Sequence, residues 1–248
     1  MISKNQIKYV HQLELKKYRK QEGLFIAEGH KVVGDLITTG FSPKRLFATR
    51  EWIKLNDTLD VVEVTDEELS RLSLLQHPQQ VIGIFPIPET TEINFGTNSL
   101  SILLDNIQDP GNLGTIIRIA DWFGIETIYC STGTVDAWNP KVVQATMGSI
   151  ARVKIVYVDS MTLLDRLPKD YPVYGTFLDG ENIYTQQLTP YGLIVMGNEG
   201  NGISDAVRAR VSHRILIPDF HKGATADSLN VAIATAITCS EFRRRQRL

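Results

Sequence analysis

Three polar segments in the second half of the chain contain the residue types that could do chemistry. The first segment, residues 105–118, places the turn-forming pair Pro110-Gly111 before Asn112 and Arg118. We expect Asn112 at the N-cap of the following helix and Arg118 near the inner face of that helix. The amide and the permanently charged guanidinium would donate hydrogen bonds to a ligand there. The alternative is an ordinary capped turn followed by a surface arginine.

The second segment, residues 196–204, is rich in glycine and lies between an apolar run and a predicted helix. Gly197, Gly200 and Gly202 are spaced GxxGxG, which differs from the GxGxxG pattern that cradles a dinucleotide. Glu199 inside the loop would repel a pyrophosphate. The pattern therefore favours close backbone approach to a neutral or cationic ligand, of which a sulfonium is one example. The alternative is a glycine-rich turn with a surface glutamate.

The third segment, residues 217–237, leads from an apolar run into a strongly apolar helix. Ser228 and Asn230 are polar groups at the head of that helix. If Asp227 or Ser228 is only a helix cap, the cap explains one polar residue and leaves Asn230 without a structural reason. A ligand-binding role therefore stays open for this segment.

Strands and helices are predicted to alternate around these segments. The predicted strands are LSILLDN, ETIYCS, VKIVYV, PVYGTFL, YGLIVMG and RILIP. The predicted helices cover about 113–123, a stretch beginning at Pro140, SDAVRARV with Ser204 as N-cap, and LNVAIATAITCSEFRRR. Apolar strands separated by helices predict a parallel sheet covered on both faces, and ligands bind where loops leave the carboxyl ends of such strands.

The first part of the chain predicts a smaller α/β domain. A helix is expected over residues 3–20, another near 30–38, and a third at the capping pattern Thr65-x-x-Glu68. Strands are expected at LFIAEG, RLFAT, DVVEV and QVIGIF. Residues 86–99 contain two prolines and several polar residues, which predicts a linker. The expected domains are therefore 1–90 and 96–248.

Charge is concentrated at the two ends of the chain. The net charge is −2, yet residues 1–20 carry six lysines and arginines against one glutamate, and residues 241–248 carry four arginines against one glutamate. Such segregation is expected if the ends meet a phosphate backbone, but two solvated helix faces would look the same. Two cysteines without metal-ligand spacing, and no apolar run long enough for a membrane span or secretory signal, favour a metal-free protein of the cytoplasm.

Taken in order, the three segments resemble the motifs of the SpoU/TrmH family within the SPOUT class of methyltransferases. The matching positions are Asn112, Gly114 and Arg118 in the first motif, Gly197, Glu199, Gly200 and Gly202 in the second, and Ile217-Pro218 with Ser228 to Val231 in the third. The resemblance covers about residues 100–243. NQIKYVHQL and FIAEGHKVV are similar to the substrate-binding domain that precedes it in the ribosomal-RNA branch.

The resemblance implies a smaller N-terminal α/β RNA-binding domain, followed in the sequence by a trefoil-knotted C-terminal domain. It also implies a homodimer formed through the C-terminal domain and S-adenosylmethionine as cofactor. The reaction would be methyl transfer to a ribose 2'-hydroxyl of RNA, with large-subunit ribosomal RNA favoured by the N-terminal domain. Backbone contacts to the cofactor would fall on Gly197, Ile217 and Leu229, with Thr176 and Gly202 as further candidates.

The resemblance also implies that Arg118 is the catalytic arginine. A guanidinium is effectively always protonated, so we favour binding of the target phosphate and stabilisation of the developing alkoxide over a role as base. Asn112, Glu199, Ser228 and Asn230 would fix the ribose, the loop and the arginine in place.

Three other functions are compatible with parts of this pattern. A non-catalytic RNA-binding or ribosome-assembly protein on the same fold would not need all five polar positions. A nucleotide-dependent oxidoreductase would need GxGxxG and no Glu199. A transfer-RNA ribose methyltransferase of the same family stays open. The loop between Pro218 and Ser228, with His221 and Lys222, is longer than the usual form, which leaves the rim of the cofactor site open.

Overall fold

The computed structural model describes residues 2–56, 59–89, 93–96, 98–221 and 227–246. The chain forms two compact units. The first unit consists of residues 1–89 and 136–152, and the second of residues 90–135 and 153–248. The first unit therefore includes a segment from within the expected second domain. The domain boundary near 86–99 stays a prediction.

The first part of the chain alternates short helices and strands. In chain order the elements are α1 (Lys4–Gln12), α2 (Lys16–Glu22), β1 (Leu24–Glu28), α3 (His30–Thr38), β2 (Arg45–Ala48), α4 (Arg50–Lys54), β3 (Val62–Glu63), α5 (Asp66–Leu72) and β4 (Val81–Pro86). The strands form a sheet of order β1-β4-β2-β3, in which β4 runs antiparallel to both neighbours. The predicted capping box is confirmed, because Thr65 and Glu68 bond each other's backbone N–H groups.

The single helix expected over residues 3–20 was wrong. The helix is interrupted between α1 and α2, where Leu13 is fully buried. The break frees carbonyl groups that a continuous helix would have satisfied. The buried guanidinium of Arg19 donates to two of them, the carbonyls of Leu13 at 2.9 Å and of Glu14 at 2.5 Å. One basic residue of the N-terminal cluster therefore has a structural role.

The second part of the chain builds the larger sheet. Its elements are β5 (Leu100–Leu104), α6 (Pro110–Trp122), β6 (Thr127–Cys130), α7 (Pro140–Ala145), β7 (Lys154–Tyr157), α8 (Ser160–Asp165), β8 (Val173–Asn182), β9 (Gly192–Met196), α9 (Asp205–Arg208), β10 (His213–Leu216) and α10 (Val231–Arg245). The strand order is β10-β8-β9-β5-β6-β7, and every pair is parallel. The predicted parallel sheet is confirmed, whereas the trefoil knot stays a prediction.

The segment 136–152, which contains α7, is tied to the first unit by packing and by ion pairs. The ring of Trp138 lies 4.6 Å from that of Phe25. The guanidinium of Arg19 pairs with the carboxylate of Asp136 at 2.5 Å, and Arg152 pairs with the carboxylate of Asp35 on α3. These contacts join residues that are more than 100 positions apart in sequence.

The arginines at the C-terminus mainly bind the end of α10 to neighbouring carbonyl and carboxylate groups. Arg243 donates to the carbonyls of Phe123 at 2.6 Å and Gly124 at 2.8 Å. Arg244 and Arg245 both pair with the buried carboxylate of Glu241. These contacts explain the described arginines without RNA, and Arg247 lies outside the described residues. No helix in the described ranges is long and apolar enough to cross a membrane.

Candidate active site

The three polar segments predicted to bind a ligand come together in the second unit. The loops after β5 and after β9 leave the same end of the sheet side by side, because these two strands pair in parallel at its centre. Residues 227–230 lead into α10, which packs against α6. Side chains from all three segments meet at Asn112.

The start of α6 differs from the expected one. Asp109 is the N-cap, since its carboxylate accepts the backbone N–H of Asn112 at 2.7 Å, and Pro110 takes the first helical position. Proline suits that position because it has no N–H to satisfy and its φ is already helical. Predicting Asn112 as the N-cap was therefore wrong. The side-chain amide of Asn112 is instead available for contacts beyond the helix.

The glycine-rich loop after β9 closes on itself. Asn198 and Gly202 exchange two backbone hydrogen bonds, at 2.9 and 3.0 Å. A Cβ at Gly197 would overlap the backbone of Gly202, so glycine is required at position 197, and the φ of +68° at Gly202 favours glycine there. The side chain of Asn198 accepts the N–H of Gly200 at 2.9 Å and donates to the carbonyl of Asn106 at 2.7 Å. The loop is thereby fixed both internally and to the end of β5.

A buried carboxylate ties the two neighbouring loops together. Asp105 follows β5, is 2% exposed, and accepts the backbone N–H of Ser204 at 2.8 Å. Asp105 also accepts a hydrogen bond from the side-chain Nδ2 of Asn106 at 3.1 Å. The backbone of Asn106 adopts a left-handed conformation with φ 61°. Ser204 is at the N-cap of α9 as predicted, although its side chain makes no capping bond. Asp105 therefore sets where the glycine-rich loop ends.

A line of three side chains links the three segments. Glu199 accepts the Nδ2 group of Asn112 at 3.0 Å, and the Oδ1 of Asn112 accepts the Nδ2 group of Asn230 at 2.9 Å. The Oδ1 of Asn230 in turn caps α10 by accepting the backbone N–H groups of Ala232 at 2.9 Å and Ile233 at 3.3 Å. We call Glu199, Asn112 and Asn230 the amide line.

The two ends of the amide line fix its direction. A carboxylate only accepts hydrogen bonds, so Asn112 must turn its NH2 group towards Glu199 and its oxygen towards Asn230. The N-terminus of α10 only donates, so Asn230 must turn its oxygen towards the helix. Asn230, not Asp227 or Ser228, is therefore the N-cap of α10. The capping role also explains Asn230, the polar residue for which the sequence alone offered no structural reason.

Glu199 is held in its charged form. Partial burial by itself would raise the pKa of Glu199, but hydrogen bonds from Asn112 and from the backbone N–H groups of Gln108 and Asp109 lower it. These donors all belong to the first polar segment. A negative charge at this point keeps the loop suited to a neutral or cationic ligand.

Arg118 is not part of the amide line. The buried side of α6 consists of Leu113, Gly114, Ile116, Ile117 and Ala120. Arg118 lies on the exposed side, so its expected place near the inner face was wrong. Among the described residues it has no ionic or hydrogen-bonding partner. Its charge is therefore available to a ligand that approaches from solvent.

The remaining candidates surround the same loops with less regular contacts. Thr176 is half-buried at the end of the paired part of β8 and donates to the carbonyl of Val195 at 3.3 Å. Ile217 is partly buried, whereas Ser228 and Leu229 are exposed. Residues 222–226, which include Lys222 and most of the longer loop, lie outside the described residues.

Models of two known families match the two parts of this chain. Residues 99–240 match the SpoU rRNA Methylase family, and residues 4–83 match the MRM3-like substrate binding domain. The chain belongs to the SpoU rRNA methylase family. The family match covers all three polar segments and stops within α10.

Relatives of this SpoU chain match it over nearly its whole length. The 23S rRNA (guanosine(2553)-2'-O)-methyltransferase RlmP of Bacillus subtilis is 31% identical, over 97% of both chains. A TrmH-family structure from Porphyromonas gingivalis is 40% identical with a TM-score of 0.88, covering 99% of this chain and 100% of that one. The AdoMet-bound rRNA methyltransferase of Sinorhizobium meliloti is 30% identical with a TM-score of 0.89, covering 100% and 97%.

Sequence reasoning assigned no role to three residues that position the site. Asp109 caps α6, Asp105 joins two loops, and Asn198 holds the glycine-rich loop. A signal existed for Asp109, because a residue that directly precedes a proline at the first helical position is a strong N-cap candidate. No comparable signal existed for the contacts by which Asp105 and Asn198 join two loops, because Ser204 and Asn106, their partners there, are more than 90 positions away in sequence.

Proposed function

We propose that this protein transfers a methyl group from S-adenosylmethionine to a ribose 2'-hydroxyl of large-subunit ribosomal RNA. The observation that carries the proposal is the amide line, which joins the three family motifs in one site. The relative named as a 23S rRNA 2'-O-methyltransferase and the AdoMet-bound rRNA methyltransferase support the same substrate and cofactor. This activity belongs in the compartment of the ribosomes, which is the cytoplasm in bacteria.

The residues proposed to bind the cofactor fit its chemistry. Gly197, Ile217 and Leu229 are proposed to contact the cofactor through their backbone, Gly202 lets the loop approach closely, and Glu199 contributes a carboxylate. This set suits an adenosine and a sulfonium cation and disfavours a polyphosphate. When bound, S-adenosylmethionine supplies an electrophilic methyl group.

Arg118 is proposed to act on the RNA. Its planar, permanently charged guanidinium fits a phosphate by two parallel hydrogen bonds. Because it stays protonated, it does not accept the proton of the ribose hydroxyl. It instead stabilises the negative charge that develops on the oxygen as that proton leaves. Its exposure on α6 and its lack of partners in the described structure support this role.

The other polar residues are proposed to hold the reacting groups in position. Glu199, Asn112 and Asn230 fix the two loops and the start of α10, and alignment of reactants contributes much of the acceleration in such transfers. Ser228, exposed two residues before the cap of α10, is proposed to orient the ribose. The proton of the hydroxyl passes to solvent, because none of these residues is proposed as its acceptor.

The first unit is proposed to supply RNA affinity. Its α1 and α2 carry exposed lysines at positions 4, 8, 16, 17 and 20, and it contains the segment that matches a substrate-binding domain. Charge reversal of Lys16 and Lys17 together should weaken RNA binding and reduce its dependence on salt. If the double variant binds RNA with unchanged affinity at every salt concentration, this assignment fails.

We also propose a homodimer formed through the second unit. Three apolar side chains are exposed on or beside the two packed helices, namely Trp122 at 85% at the end of α6, Leu229 at 49% just before α10, and Ile233 at 51% at the start of α10. A second copy would cover them. Light scattering should give a dimer for the unchanged chain and for Leu55→Lys, which alters an 84% exposed residue of the first unit. Ile233→Lys should shift the protein to monomer, and a monomeric unchanged chain would refute the proposal.

Two measurements test the function itself. In titration calorimetry S-adenosylmethionine should bind, while NAD and ATP should not. Binding of NAD instead would favour the oxidoreductase. In a deletion strain, ribose-methylation mapping of total RNA should show one lost site in large-subunit ribosomal RNA. A lost site in transfer RNA would correct the substrate, and no lost site together with RNA binding would favour the non-catalytic alternative.

A further inference from the structure

Away from the amide line, two arginines of the second unit converge on one aromatic ring. The guanidinium carbon of Arg214 lies 4.2 Å from the centroid of Phe177, and that of Arg208 lies 4.8 Å from it. Both arginines also pair with the carboxylate of Asp179, Arg208 at 3.1 Å. We call Phe177, Asp179, Arg208 and Arg214 the arginine cluster.

The cluster depends on an irregularity in β8. The parallel ladder between β8 and β10 is regular up to Arg214 and resumes at Ile215, but on β8 the residues 176–180 are skipped. The skipped residues leave the ladder and bring Phe177 and Asp179 beside Arg214. The chain returns at Gly180, where a Cβ would lie 2.7 Å from the backbone carbon of Ile215, so a side chain there would prevent the return.

The chemistry of the cluster is that of an anion site with a temporary occupant. Two guanidiniums face one carboxylate, which leaves one positive charge in excess. The aromatic ring favours this placement of the guanidiniums. Asp179 is 66% exposed, and an exposed ion pair contributes little to stability, so another anion can replace it. A phosphate matches the fork of arginine at least as well as a carboxylate does.

The cluster lies next in sequence to the residues proposed to bind the cofactor. Phe177 directly follows Thr176, and Arg214 precedes Ile217 by three residues. An RNA strand whose ribose reaches the methyl group carries further phosphates on either side of that ribose. Arg118 on α6 is proposed for one anionic group, and the arginine cluster, on β8, α9 and β10, is available for another.

We propose that the arginine cluster binds a backbone phosphate of the substrate RNA beside the methylated nucleotide, with Asp179 occupying the site until the phosphate replaces it. The inference rests on the proposed function in assuming RNA as substrate. Its readout is RNA binding, which needs neither the cofactor nor methyl transfer.

The test measures the affinity of the full chain for a transcribed fragment of 23S ribosomal RNA over a range of salt concentrations. Arg208→Ala and Arg214→Ala should each weaken binding about tenfold and lower the salt slope by about one phosphate contact. Arg210→Ala is the matched control, because Arg210 is equally exposed at 38% and pairs with a single carboxylate, Asp165. It should leave binding unchanged.

Asp179→Asn separates phosphate binding from a purely structural role. If the carboxylate occupies a phosphate site, its loss should tighten RNA binding a few fold. If the ion pairs only stabilise the irregular part of β8, the same variant should lower the melting temperature and weaken binding. Arg214→Lys should keep the salt slope but lose affinity, because lysine keeps the charge without the fork.

Two outcomes would overturn the inference: arginine variants that bind RNA like Arg210→Ala, or an Asp179→Asn variant that binds more weakly. Calorimetry with S-adenosylmethionine on the same variants serves as the folding control. If the unchanged chain binds RNA but not the cofactor, the proposed function fails while the test of the cluster remains valid.

Discussion

Asn112 and Arg118 lie on the same helix and in the same motif, yet their side chains have opposite surroundings. Asn112 donates to Glu199 and accepts from Asn230. Its orientation is fixed by the carboxylate at one end of the amide line and by the backbone N–H groups of α10 at the other. Arg118 is exposed and has no partner in the described part of the chain. Within one motif, the positioning groups are thus already engaged, whereas the group proposed to meet the RNA keeps its charge unneutralised.

The largest effect is expected for Arg118→Ala, which should lower the rate of methyl transfer about 100-fold to 1,000-fold. Because the side chain is exposed, the melting temperature and the affinity for S-adenosylmethionine should hardly change. Single-turnover transfer to ribosomal RNA measures the first effect, and calorimetry measures the second. Arg118→Lys keeps the charge and should recover part of the rate. Activity of the alanine variant within a few fold of the unchanged protein would remove Arg118 from the site.

A large but smaller effect is expected for Asn112→Asp. This change places a second carboxylate 3.0 Å from that of Glu199, so the two charges repel each other. We expect cofactor affinity to fall about tenfold, although aspartate in the first turn is favourable for α6 itself. Asn112→Ala should cost less, since it removes the bond without adding charge.

The double variant Asn112→Asp with Glu199→Gln makes this prediction sharper. A glutamine at 199 would donate to the new carboxylate, and the carboxylate would still accept from Asn230. Cofactor affinity should therefore recover above that of either single variant, and the double-mutant cycle gives the coupling. Additive losses would mean that the amide line does not position the cofactor loop.

Much of the fold could be predicted from local patterns. Apolar runs separated by helices gave the parallel sheet, and Thr65 with Glu68 gave the start of α5. The exposed side of Arg118 could also have been predicted, because Leu113, Ile116, Ile117 and Ala120 follow helical spacing on the opposite side. The inner-face expectation neglected this periodicity.

Other features had a weak local signal or none. Within α6, Asp109 and Asn112 are both good caps, and only the position of Pro110 decides between them. The break after α1 depends on the burial of Leu13 and on Arg19, which bonds across the break. The attachment of residues 136–152 to the first unit depends on partners more than 100 positions away.

A moderate effect on stability is expected for Asp105→Ala. The change removes the buried carboxylate that accepts the partly buried N–H of Ser204, which should cost about 1 to 3 kcal/mol. Urea unfolding measures the cost, and Glu181→Ala, at an exposed position of β8, is the control. Since Asp105 fixes the end of the glycine-rich loop, cofactor affinity should fall as well. Unchanged stability would show that the loop is held without this carboxylate.

The smallest effect is expected from the titration of Glu199. Partial burial raises its pKa, but the hydrogen bonds of Asn112, Gln108 and Asp109 outweigh that effect, and the folded pKa lies below the ordinary value of 4.5. A lowered pKa means that the bonds stabilise the fold fully above about pH 4.5, and that this contribution is lost as pH falls through the folded value. Glu199→Gln imitates the protonated side chain. The free energy of unfolding of the unchanged protein should therefore exceed that of Glu199→Gln by less than about 1 kcal/mol at pH 7, because the carboxylate is exposed to solvent. The two proteins should converge as the pH falls through the folded pKa of Glu199. A difference that stays constant or grows on acidification would contradict a charged anchor at this end of the amide line.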